Sequence, residues 1–143
     1  MLKLDKNLKV DLPNRTPINE IPLKELDLTN KSDWDPKPGM MGTEYVGSDR
    51  YAVVCVDNLT PKRILLKRLH EFDENNIYNQ SNISVDEDGI MWYEDFHKID
   101  RKKCETYSKR KKGEWRKLVK TGQYGYSSPV YFGSARPYRD PSF

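Results

Sequence analysis

The sequence is poor in the side chains that most often form catalytic and metal centres. It has two cysteines, Cys55 and Cys104, and two histidines, His70 and His97, among 143 residues. These four residues lack the close paired spacing of a zinc site. Nucleophile-elbow and phosphate-loop motifs are also missing from the sequence. We therefore expect no enzymatic activity, no metal site and no cofactor, and we interpret both cysteines as free thiols.

Long apolar segments are missing as well. A membrane-spanning helix needs about 20 mostly apolar residues, no such run occurs, and the mean hydropathy is −0.91. The first six residues lack the apolar stretch of a signal peptide. These features predict a chain that makes no membrane contact and resides in the cytoplasm.

The composition is polar but not that of a disordered chain. Apolar residues make up 36% of the sequence and charged residues 33%, which is polar for a globular protein. Three Trp, nine Tyr and four Phe argue against full disorder, because disordered chains are poor in aromatic residues. The length suits one domain, with part of the chain outside its core.

Residues 1–38 have the pattern of an extended N-terminal arm. Five prolines, at positions 13, 17, 22, 36 and 38, interrupt any long helix, because each removes an amide donor and restricts the backbone. Apolar residues alternate from Leu2 to Leu12, which fits a strand, and Pro22 suits the start of a helical turn. The many aliphatic residues indicate that the arm packs either on its own domain or on a partner.

Residues 39–143 have the pattern of a mainly β domain, which we predict to be a small barrel or sandwich. Short apolar, β-branched and aromatic runs alternate with turn residues. Strands are predicted over residues 43–46, 51–56, 63–69, 83–85, 90–93, 103–108, 115–119 and 127–133. The Asn- and acid-rich segment 71–82 predicts an exposed loop.

The charges are unevenly distributed along the chain. Residues 71–95 hold eight acidic and no basic side chains, whereas residues 98–120 hold eleven basic and three acidic ones. The acidic stretch fits either a solvated surface or a phosphate mimic that occupies a basic groove of another protein.

Aromatic and basic residues alternate in the second of these stretches. Lys and Arg neutralise phosphates, and aromatic rings stack on unpaired bases. This combination predicts contact with nucleic acid through Arg110, Lys112, Trp115, Arg116 and Lys117. In the alternative interpretations, residues 109–112 are a solvated hairpin tip and the aromatic rings belong to the core, or the basic stretch contacts an acidic protein surface. In a homo-oligomer, the acidic segment of a second copy of this chain would supply that surface.

Two sets of residues resemble a family of short proteins encoded by tailed bacteriophages. One is the strand start Gly42-Thr43 followed by Ser48-Asp49-Arg50-Tyr51. The other is the ending, which comprises Lys109-Arg110-x-x-Gly113-x-Trp115, Gly133 and Tyr138-Arg139-Asp140-Pro141-Ser142-Phe143. The similarity covers about residues 39–69 and 105–143, and residues 1–38 and 70–104 depart from it. It implies a phage origin and brings no activity or catalytic residues.

The segment 42–56 also resembles Tudor-like and SH3-like barrels. Such barrels bind peptides or nucleic acid through a groove lined by aromatic rings. The resemblance makes Tyr45, Tyr51 and Trp92 candidates for a groove, and the alternative is that all three rings pack in the core.

Together these features predict a phage-encoded, non-enzymatic accessory protein that binds nucleic acid or a nucleic-acid-handling protein. One alternative is an anti-CRISPR-like inhibitor of a host defence system, which acts by protein contact through the acidic stretch or the arm. Another is a minor virion component whose arm extends into a neighbouring subunit. The expected location is the host cytoplasm, or the virion in the last case.

Overall fold

Alternating apolar residues build two β-sheets in the computed structural model, which describes residues 15–22, 34–117 and 128–138. In these ranges the strands are β1 (Arg15–Pro17), β2 (Met41–Val46), β3 (Asp49–Thr60), β4 (Arg63–Arg68), β5 (Ile83–Asp86), β6 (Met91–Tyr93), β7 (Glu105–Lys109), β8 (Trp115–Lys117) and β9 (Val130–Phe132). Single turns of 3-10 helix lie at Ile18–Glu20, Ile77–Asn79, Phe96–Lys98 and Arg101–Lys103.

Six strands close into an antiparallel barrel in the order β9-β2-β3-β4-β7-β8. Val130 of β9 lies opposite Trp115 of β8, and this pair closes the ring. Closure removes the unpaired strand edges that an open sheet would expose. The prediction of a mainly β fold is confirmed, and the architecture is consistent with a small SH3-like or Tudor-like barrel.

The chain between β4 and β7 leaves the barrel and, together with β1, forms a second, three-stranded sheet in the order β1-β5-β6. Strand β1 runs antiparallel to β5, with Arg15 opposite Asp86 and Pro17 opposite Ser84. Residues 15–22 of the predicted arm therefore pack on their own body, which is one of the two expected alternatives. The strand predicted over residues 2–12 and the helical turn expected after Pro22 lie outside the described residues.

Two apolar cores lie on opposite faces of β3. Val53 and Cys55 point into the barrel, whereas Ala52 and Val54 point toward the second sheet. The barrel core contains Met40, Val53, Cys55, Ile64, Leu66, Ile90, Trp92, Tyr107, Trp115, Val130 and Phe132. The second core contains Ile18, Met41, Ala52, Val54, Val56, Leu69, Phe72, Ile77, Ile83, Val85, Met91 and Ala135. The continuous apolar run of β3 reflects burial on both faces, as in other covered strands.

The segment 71–82 is in large part the exposed loop that its composition predicts, but two of its apolar residues are buried. Phe72 and Ile77 are only 7% and 0% exposed and belong to the second core. The Asp73 carboxylate accepts hydrogen bonds from the amides of Asn75 and Asn76 at 2.9 and 2.8 Å, and so holds the turn that delivers Ile77. Single apolar residues in a polar segment have no periodicity, so the pattern does not reveal their burial.

Gly42 and Thr43, which carry part of the phage-family resemblance, fasten the C-terminal segment to β2. A Cβ atom on Gly42 would lie 2.6 Å from the Tyr131 carbonyl oxygen, so only glycine fits beneath β9. The Thr43 hydroxyl donates to the Ser134 carbonyl at 2.8 Å and accepts from the Arg136 amide at 3.0 Å. This pair of residues therefore has a structural role.

The burial of Ile77 predicts a large effect of truncation there. Ile77→Ala should lower the free energy of unfolding by about 2–5 kcal/mol, the usual cost of such a cavity. Asn75→Ala is the control, because Asn75 is exposed in the same segment and such changes usually stay within about 0.5 kcal/mol. Urea denaturation followed by circular dichroism measures both. Equal, small effects would show that the segment does not dock on the second core.

Candidate nucleic-acid interface

Basic side chains gather at one end of the barrel, on two neighbouring hairpin tips. Strands β4 and β7 are paired, with Arg63 opposite Ser108, so the β3–β4 and β7–β8 turns lie side by side. The Lys109 amide donates to the Lys62 carbonyl at 2.9 Å and joins them. We call the basic residues of the two tips the hairpin-tip cluster: Lys62, Arg63, Lys109, Arg110, Lys111 and Lys112.

The β7–β8 turn is built by local hydrogen bonds and one glycine. The Arg110 amide donates to the Glu114 carbonyl at 2.8 Å, and the Gly113 amide donates to the Arg110 carbonyl at 2.9 Å. Gly113 has φ +96°, a conformation that glycine adopts without steric cost. The turn thus presents its lysines outward on a defined backbone.

Two acidic residues, Asp35 and Glu114, offset part of the positive charge of the hairpin-tip cluster. Lys109 pairs with Asp35 at 3.0 Å, and Glu114 pairs with Arg116 at 3.2 Å. Four exposed members of the cluster form no ion pair within residues 15–22, 34–117 and 128–138. They are Lys62, Arg63, Lys111 and Lys112. Clustered charges of one sign produce a positive potential at this end of the barrel.

Three of the five predicted contact residues lie in or beside this cluster. Arg110 and Lys112 belong to it, and Arg116 lies on β8 in the same cross-strand row as Ser108 and Arg63. Lys117 lies one cross-strand row farther from the tip, opposite Tyr107, and its charge is paired with Glu105 at 2.7 Å.

Trp115 lies inside the barrel and not on the binding surface that the sequence predicts for it. Its side chain is 3% exposed and meets Phe132 edge to face, with ring centroids 6.4 Å apart. Side chains alternate between the two faces of a strand, and the closing pair Trp115–Val130 directs both inward. This corrects the expectation for Trp115.

The three rings proposed for a groove do not come together. Tyr45 meets Tyr131 on the outer wall at 5.9 Å, whereas Tyr51, on the inner side of the hairpin, lies beneath the Arg68 guanidinium at 4.2 Å. Tyr51 lies opposite Glu44 and not opposite Tyr45 in the pairing of β2 with β3. The two tyrosine rings therefore lie on opposite faces of the hairpin.

Trp92 belongs to the second sheet and is also covered. It is 8% exposed, Arg15 lies over its ring at 4.2 Å, and its indole N–H donates to Asp86 at 2.9 Å. The predicted groove of Tyr45, Tyr51 and Trp92 is therefore wrong as a single surface.

A buried polar network occupies the barrel end opposite the hairpin-tip cluster. The Glu44 carboxylate, 3% exposed, accepts two hydrogen bonds from Arg68 at 2.6 and 2.8 Å. Its other oxygen accepts from the Tyr107 hydroxyl at 2.7 Å. Burial and the neighbouring Glu44 charge raise the pKa of Tyr107, which keeps the phenol protonated as a donor. Since each carboxylate oxygen has a partner, we interpret this network as structural.

The cysteines have environments opposite to those of catalytic thiols. Burial, together with the Asp57 charge, raises the pKa of the Cys55 thiol to about 12. Burial also raises the pKa of Cys104, whereas a nucleophilic thiol needs a lowered pKa. In the part of the chain that the structure describes, no group of three or more His, Cys, Asp or Glu is placed to hold a metal ion.

The sequence analysis missed Trp34, which borders the hairpin-tip cluster. Its side chain is 44% exposed, and the adjacent Asp35 is the residue that pairs with Lys109. The signal available in the sequence was a tryptophan between two aspartates, Asp33 and Asp35, a setting that disfavours burial of the ring.

The chain matches no protein-family model, no curated protein and no solved structure. Among the described residues, no helix has the length and apolar character required to cross a membrane. Its function therefore has to be inferred from its own residues.

Removing the Tyr107 hydroxyl should destabilise the protein. Tyr107→Phe leaves one Glu44 oxygen buried without a donor, so we expect a loss of about 1–3 kcal/mol in the free energy of unfolding. The control is Tyr131→Phe, because Tyr131 is 39% exposed and surface changes usually stay within about 0.5 kcal/mol. Urea titration compares the two variants. Indistinguishable midpoints would contradict the structural role of the network.

The raised pKa of Cys55 predicts that it resists alkylation. At pH 8, far below a pKa of about 12, almost no thiolate forms in the native protein. Iodoacetamide should therefore modify partly exposed Cys104 first and reach Cys55 only in urea. Peptide mass spectrometry with time measures both sites. Native-state modification of Cys55 as fast as that of Cys104 would contradict its burial.

Proposed function

We propose that this chain is a phage-encoded, non-enzymatic accessory protein that binds nucleic acid through the hairpin-tip cluster. The phage origin is supported by the sequence motifs around Gly42 and Gly113. The single observation that carries the binding proposal is the junction of two turns, distant in sequence, that brings six basic side chains together.

The chemistry of the hairpin-tip cluster suits a phosphate backbone. Flexible lysines dominate it, and an ammonium group acts as a point charge that tolerates variable phosphate positions. Cations that contact phosphates release condensed counterions, so binding weakens with salt by about 0.7–0.9 logarithmic units per contact and per tenfold change in concentration. Four contacts would thus give a slope of roughly −3.

The acidic stretch offers less support for a phosphate mimic, because three of its carboxylates hold their own segment together. Asp73 accepts from local amides, and Asp86 accepts from the Ile90 amide and the Trp92 indole. Glu94 accepts from Ser84 and pairs with Arg15 at 2.8 Å. These contacts favour the basic end of the barrel as the binding surface.

Neutralising the hairpin-tip cluster should weaken binding. We expect Lys62→Ala/Lys111→Ala/Lys112→Ala to reduce the affinity for a labelled 20-nucleotide strand at least tenfold in 50 mM salt. The salt slope should become less steep by about 1 for each phosphate-binding lysine that is removed. Fluorescence polarisation across a salt series measures both quantities.

The matched control removes the same charge elsewhere. Lys98→Ala/Lys102→Ala/Lys103→Ala neutralises three exposed lysines that precede β7, at the end of that strand opposite the tip. If both triple variants lose affinity equally, net charge and not the hairpin-tip cluster causes binding. Absence of binding by the unmodified protein at 50 mM salt would overturn the proposed function.

A further inference from the structure

We infer that the interface selects unpaired nucleic acid, with Trp34 as a base-stacking platform beside the hairpin-tip cluster. This inference rests on the proposed function and names the substrate class of the same site. The chemistry recognised is an unpaired nucleobase on a phosphodiester backbone, from single-stranded DNA or RNA.

The register of the barrel places Trp34 beside the β7–β8 tip. Its amide donates to the Phe132 carbonyl at 3.3 Å. Val130 lies opposite Trp115, the first residue of β8. Because the two strands are antiparallel, Phe132 is level with Gly113, which lies in the turn two residues before β8 begins. Trp34 therefore lies beside β9 at a level that β8 does not reach.

The two residues after Trp34 anchor this segment to both hairpins. Asp35 pairs with Lys109 of β7 at 3.0 Å. The Asn58 side-chain amide of β3 donates to the Pro36 carbonyl at 3.0 Å, and Pro36 is buried. Hydrogen bonds at Trp34 and Pro36 thus hold the backbone that carries the indole, so stacking would require little ordering of the protein.

The exposure of Trp34 is unusual for its residue type. The other two tryptophans, Trp92 and Trp115, are 8% and 3% exposed, whereas Trp34 is 44% exposed. Leu59, at the end of β3 near the other tip, is 43% exposed. An exposed indole next to clustered cations is the combination that non-specific single-strand binders use, because every base offers a ring face.

The lysines and the indole contribute differently to the choice of nucleic acid. Lysines bind phosphates of a duplex and of a single strand alike. The indole needs a free base face, and in a duplex those faces are stacked on neighbouring pairs. Lysine contacts therefore supply general affinity, and Trp34 supplies the preference for unpaired bases.

Intrinsic fluorescence tests this directly, because Trp34 is the exposed tryptophan. The unmodified protein is titrated with one 20-nucleotide DNA strand, the RNA strand of the same sequence, and the annealed DNA duplex. We expect quenching by either single strand and tighter binding than to the duplex. Equal quenching and equal affinity for the duplex would overturn the inference. The DNA and RNA arms show which single strand is preferred.

Substitution separates stacking from charge. Trp34→Ala should bind the single strand roughly 5- to 140-fold more weakly while its duplex affinity, measured by polarisation, stays unchanged. Tyr138→Ala is the control, since Tyr138 is a similarly exposed ring, at 37%, away from the tips. Its backbone pairs with that of Arg50 at the start of β3, the end of that strand opposite the β3–β4 turn. Circular dichroism verifies that each variant is folded.

The failures of the two proposals are distinguishable. If Trp34→Ala keeps full single-strand affinity while the lysine triple variant loses it, the stacking inference is wrong and the proposed function stands. If the unmodified protein binds none of the three nucleic acids at 50 mM salt, the proposed function fails, and the inference fails with it.

Discussion

The packing of β3 on both faces is the constraint on which the rest of the fold depends. Val53 and Cys55 fill the barrel, and Ala52 and Val54 fill the core beneath the second sheet. Because a shift by one residue would exchange the two sets, both cores require the same register. The barrel and the sheet β1-β5-β6 therefore stabilise each other, and the segment between β4 and β7 is an integral part of the structure.

Strand pairing within the barrel also creates the candidate interface. Strands β4 and β7 are separated in the chain by residues 69–104, yet their pairing sets the β3–β4 and β7–β8 turns side by side. The segment around Trp34 then crosses the same end of the barrel, held by Phe132, Lys109 and Asn58. Charge and an exposed ring from three parts of the chain meet there, whereas the opposite end of the barrel is closed by the paired network of Glu44, Arg68 and Tyr107.

Sequence reasoning succeeded where structure is local. The turn-rich β pattern, the meander of β2, β3 and β4 and the hairpin of β5 and β6 follow from runs of apolar residues and from turn residues, which act over a few positions. The basic tip at residues 109–112 was visible for the same reason. It failed for isolated residues: Ile77 in a polar segment is buried, and Trp115 in a basic one faces inward.

The sequence by itself determined the mainly β class, the small number of cysteines and histidines, and the separation of acidic from basic stretches. Only the tertiary structure decided which tryptophan is exposed, because the face on which a ring lies depends on strand register and barrel closure. It also decided that Lys62 and Arg63 join Lys109–Lys112, since strand pairing over a long separation leaves no periodic trace in the chain. The physical reason in both cases is that burial is set by neighbours that are remote in sequence.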